Sequence, residues 1–132
     1  MAMTQERSRE STRTAPAGRL PARPAITLAL AWLTVFPLAI ALEPAAAAAA
    51  QPWWGDLAAV GLLAAMVATF CGLAARRTWG AGASLVASGL FVAGVFACPA
   101  TGHHAFGLWW IGEFALALTL VAVSAVAYLR TR

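Results

Sequence analysis

The sequence predicts an all-helical integral membrane protein with four transmembrane helices. Three observations carry that reading: four long apolar stretches, tryptophans at their edges, and arginines confined to one side of them. Apolar residues make up 61% of the chain and charged residues 11%, far from the balance of a soluble domain of this size. The stretches are continuous and rich in Ala and Leu, which excludes a membrane barrel with its short alternating strands. Backbone groups in lipid must be satisfied within the segment, so each stretch is a helix.

All nine basic residues are arginines. Arg7, Arg9, Arg13, Arg19 and Arg23 precede the first stretch, Arg76 and Arg77 lie between the second and third, and Arg130 and Arg132 follow the fourth. Four crossings with the N- and C-termini both cytoplasmic put every one of them on the inner side. The segment 1–24 combines these charges with Pro16, Pro21, Pro24 and scattered Ser and Thr, and is expected to be a disordered Arg-rich cytoplasmic tail. It orients the protein and favours anionic lipid, but lacks the basic helix or aromatic platform of a nucleic-acid binder.

The four-helix transmembrane domain spans 25–132. Its first helix runs from Ala25 to Leu42, with Pro37 expected to bend it. A rival reading takes residues 1–50 as a cleaved secretory signal ending in the alanines after Glu43 and Pro44. Signal cores are usually ~7–15 residues, shorter than this run, which favours a retained helix. The second helix, Leu57 to Ala75, carries small residues four apart at Ala64, Ala68 and Gly72. The third, Ala81 to Cys98, continues such a stripe from Gly80 through Ser84 and Ser88. Stripes of this kind let helices approach closely and are read as packing faces, including faces toward other membrane subunits or a second copy. The fourth runs from Leu108 to Leu129. Trp53, Trp54, Trp109 and Trp110 mark the outer interface, and Trp79 and Tyr128 the inner one.

The two halves echo each other. Glu43-Pro44-Ala45 follows the first helix and Cys98-Pro99-Ala100 closes the third; Trp53-Trp54-Gly55-Asp56 opens the second and Trp109-Trp110-Ile111-Gly112-Glu113 the fourth. Two tandem helical hairpins related about the membrane normal would make Asp56 and Glu113 equivalent.

The second outer loop breaks the echo, because it supplies both histidines. Cys98, His103 and His104 offer soft and imidazole ligands, and Glu113 on the next helix adds a carboxylate, a candidate set for copper or zinc. The spacing is not one of the short paired patterns that define zinc sites. Glu113 is also the one formal charge inside a predicted span, which makes it a functional candidate in its own right. Cys71 lies about 21 Å along its helix from the outer end, beyond disulfide reach of Cys98. No Cys-x-x-Cys, phosphate-cradling loop or nucleophile with an adjacent base appears, so no catalytic residue is assigned.

These features predict a small multi-pass membrane protein that is not an enzyme, first an accessory or structural subunit of a membrane complex. The alternatives are an outer-face metal-binding or redox protein and an oligomeric small transporter with Glu113 as coupling carboxylate. The lack of lysine and asparagine points to a GC-rich bacterial genome, hence the bacterial cytoplasmic membrane.

Overall fold

The computed structural model describes residues 18–45, 52–102 and 104–132. It is all-helical: α1 spans Ala22–Leu42, α2 Trp53–Ala74, α3 Thr78–Ala100 and α4 Leu108–Leu129. All four are long and apolar enough to cross a bilayer. The helices reach beyond the apolar runs that announced them, by four residues at Trp53 and three at Thr78 and Ala22. Hydropathy marks the hydrocarbon-facing part of a helix, whereas the helix itself continues until its end groups find other partners. Pro37 lies inside α1, which continues to Leu42.

Helix α2 packs on α3, α3 on α4, and α4 on α1, while α1 and α2 barely touch. The bundle is thus open between α1 and α2. This arrangement departs from two equivalent hairpins, since α3 and α4 are extensively packed and α1 and α2 are not. Asp56 and Glu113 differ accordingly: Asp56 is exposed and Glu113 buried.

The core is built from helical stripes. On α4 it comprises Glu113, Ala117, Leu120, Ser124 and Ala127, and on α3 Gly80, Ala81, Ser84, Ala87, Ser88, Phe91 and Val95. These spacings of three and four place each set on one face. Helix α1 adds Leu28, Trp32 and Ala39, all essentially inaccessible. The Trp32 indole N–H donates to Ser84 Oγ at 2.8 Å, and Ser84 Oγ lies 2.7 Å from Ser124 Oγ. A short polar chain therefore ties three helices together where an unpaired group would be costly. The α3 stripe that sequence offered as a face for partners is, at Ser84 and Ser88, used within the chain. A cleaved leader would remove Trp32 and Leu28 from this core.

At one end α2 stops in a Schellman turn. Arg76 takes the left-handed conformation (φ 52°), its N–H bonds to Leu73 O, and the Arg77 N–H bonds to Gly72 O. The chain before α1 pairs with this turn: the Leu20 N–H donates to Arg76 O at 2.7 Å and the Thr78 N–H to Gly18 O at 3.1 Å. The segment expected to be disordered as far as residue 24 thus has a defined backbone from Gly18, with Leu20 buried; residues 1–17 lie outside the described part. Arg19, Arg23, Arg76, Arg77, Arg130 and Arg132 gather at this end, and Glu43, Asp56 and Glu113 mark the opposite one.

At the acidic end Pro99 sits in the last turn of α3. Lacking an N–H, it leaves the carbonyl four residues back, Val95 O, without its helical donor. Trp110 of α4 supplies one, its indole N–H donating to Val95 O at 2.9 Å. Removing that donor in Trp110→Phe is expected to cost about 1–2 kcal/mol, read as a lower midpoint of thermal unfolding in detergent. An unchanged midpoint would mean that the carbonyl finds another donor.

Candidate functional site: a carboxyl pair in a cavity at the acidic end

Helix α4 starts after Gly107, whose carbonyl accepts the Trp110 N–H. Glu113 follows in the second turn, at the head of the buried stripe, so packing carries its carboxyl inward. It is 2% exposed. Gly112, beside it, permits the end of α1 to come close: a β-carbon there would meet Leu42 Cδ1 at 3.1 Å. The residue that follows α1, Glu43, is half-buried at the same end of the bundle.

Both acids line a cavity of about 230 Å³ in the acidic half of the bundle, where α1 and α2 stand apart. Phe36 and Phe91 meet edge to face in its wall, with ring centroids 5.1 Å apart, and Trp54 lines it from α2. Most of the remaining lining is Ala, Leu, Ile, Gly and Val. Among the described residues Glu113 is all that α4 contributes to the lining.

Two negative charges facing one apolar cavity are costly, and a proton shared between the carboxyls lowers that cost. Glu113 Oε2 has no hydrogen-bond partner among the described residues. The cavity thus combines an apolar, partly aromatic wall with a buried oxygen able to accept a hydrogen bond or face a cation.

The expected metal set fares differently. Cys98 and Glu113 both line the cavity, as does Glu43. His104 does not line it; it is buried edge-on to Trp109, with ring centroids 5.5 Å apart. His103 lies outside the described residues. Among the described residues no three of His, Cys, Asp and Glu are grouped to hold an ion. His104 thus stands against an indole, while Cys98 and Glu113 line the gap between helices, so the described members of the copper or zinc set are not grouped.

Glu43 escaped sequence reasoning because it lies at the end of a span and looks like an interfacial acid. A signal was nevertheless present. In the echo between the halves Glu43 occupies the place of Cys98, one residue before a proline, and both line the cavity. The spacing 113, 117, 120, 124, 127 likewise places Glu113 on the small-residue face of α4.

Comparison with family models, curated proteins and solved structures finds no match to this chain.

Proposed function

We propose that this chain is a non-enzymatic membrane protein that binds a small organic cation in the acidic-end cavity and releases a proton in exchange. One observation carries this reading: a carboxyl buried in an apolar cavity, with an unpartnered oxygen, beside a second carboxyl. Binding a cation there replaces the shared proton with a fixed positive charge, and the proton leaves to water past half-buried Glu43. Phe36, Phe91 and Trp54 suit the cation's substituents, because aromatic faces attract quaternary ammonium groups. The arginine distribution favours a cytoplasmic arginine end, which directs the cavity to the outer leaflet. Exchange of a proton for a cation is the elementary step of a coupled carrier, and four helices enclose no path alone, so transport by this chain requires an oligomer.

The test is equilibrium binding of benzyltrimethylammonium to protein in nanodiscs across a pH series. One proton released per cation predicts affinity rising with pH, by up to about tenfold per unit while the proton is bound and flattening once the pair has lost it. The titratable groups that line the cavity with Glu113 are Glu43 and Cys98. Affinity independent of pH throughout would contradict the exchange.

The accessory-subunit reading keeps support from one feature. Helix α2 is the least buried of the four. Gly61, Ala64 and Cys71 are exposed and Ala68 half-buried along one stripe, the small-residue pattern by which helices associate in lipid. If a second copy packs on this stripe, mild oxidation in the membrane links Cys71 to its counterpart. A covalent dimer is expected from wild type and Cys98→Ser and not from Cys71→Ser; a monomer in every case would count against self-association here.

A further inference from the structure

We propose a second binding site, for one anionic phospholipid, at the arginine end between α1 and α4, independent of the acidic-end cavity. Arg23, Pro24 and Thr27 of α1 and Ala122, Val123, Val126 and Ala127 of α4, with Arg130 just beyond its end, line a groove of about 400 Å³. The spacings place each set on one helical face, so the two faces form the walls of a single furrow. Its chemistry is graded. Arg23 and Arg130 stand at the mouth, Thr27 adds a hydroxyl, and below them the α4 wall is purely aliphatic.

Three observations point to an anionic lipid, and the first of them separates it from a soluble anion. The groove descends from Arg130 to Ala122, about 12 Å along α4, close to the ~15 Å of one leaflet's hydrocarbon. A phosphate ion has no use for that aliphatic length, whereas an acyl chain fills it. Both guanidiniums are exposed and neither has an ion pair among the described residues, whose acids all lie at the other end. By contrast, Arg132 is engaged, its guanidinium 4.8 Å from the Tyr128 ring centroid and bonded to the phenol oxygen. The mouth also holds the N-terminus of α1, whose dipole favours a negative group; of its first turn only Ala22 and Arg23 keep an N–H to offer, because Pro24 has none and the Ala25 N–H bonds to Pro21 O. Basic pockets between transmembrane helices are where anionic headgroups are held.

The experiment extracts the full chain from bilayers of equal phosphatidylglycerol and phosphatidylcholine and counts retained lipid by native mass spectrometry. Wild type is expected to keep one phosphatidylglycerol in preference to phosphatidylcholine. Arg23→Gln with Arg130→Gln should reduce that preference about tenfold or more, and Arg132→Gln should leave it intact. Ala122→Trp, which retains both arginines but fills the furrow, should also lose the lipid, so a folding defect in the double variant does not decide the outcome. Equal retention in the double variant, a loss as large in Arg132→Gln, or full displacement by soluble glycerophosphoglycerol would each overturn the proposal. The last outcome would mean that only the headgroup is recognised.

Discussion

Glu113→Gln is expected to weaken binding of benzyltrimethylammonium about a hundredfold, to remove its pH dependence, and to leave the fold intact. Glutamine keeps the shape of the side chain but neither accepts a negative charge nor exchanges the proton. In a cavity of low polarity, losing a buried carboxylate opposite a cation costs about 3 kcal/mol, roughly a hundredfold in affinity. Stability should move the other way or not at all, because a buried ionisable group is itself expensive. Glu43→Gln should weaken binding less, since Glu43 is half-buried at the end of α1 and open to water. On the proposed reading the pair of variants separates two roles: Glu113 meets the cation, and Glu43 shares the exchanged proton with Glu113. Equal effects in the two, measured by calorimetry in nanodiscs, would contradict that division.

Gly80→Val is expected to be the most damaging single change to the fold. A β-carbon at Gly80 would lie 2.6 Å from Gly72 C and 2.8 Å from Leu73 N, both backbone atoms of α2. No rotamer change relieves such a clash, so α2 and α3 must separate at the arginine end, at a cost of about 3 kcal/mol or more. The Schellman turn and the Gly18–Leu20 segment paired with it would be displaced as well. Gly89→Ala on the same helix is the control, because a β-carbon there meets nothing within 4 Å. Its thermal midpoint in detergent should match wild type or exceed it, while Gly80→Val unfolds at a clearly lower temperature. Similar midpoints for the two would show that the close approach of α2 and α3 is dispensable.

Much of the fold was legible because bilayer physics leaves few options. The four apolar runs specify helices, since only internal hydrogen bonding satisfies a backbone in lipid. Sequence also singled out Glu113, whose side chain the structure buries. Neighbour order was not legible: all four helices are apolar on every side, so hydropathy does not say that α1 leans on α4 and leaves α2. That choice rests on particular fits, among them the indole of Trp32 reaching Ser84 and the missing side chain at Gly112 under Leu42. The site follows from it. Glu43 and Glu113 share one cavity because α1 closes against α4 and stands off α2. The histidines drew attention as ligand types; His104 stands edge-on to Trp109, a contact that the sequence did not announce.

The central claim, a proton held between Glu43 and Glu113 and displaced by a cation, is tested most directly by infrared difference spectroscopy of protein in nanodiscs near neutral pH. Adding benzyltrimethylammonium should bleach the carbonyl stretch of one protonated carboxyl in wild type, raise a carboxylate band in its place, and do neither in Glu113→Gln. A cation that binds with no loss of a protonated carboxyl, or a bleach that persists in Glu113→Gln, would contradict the account.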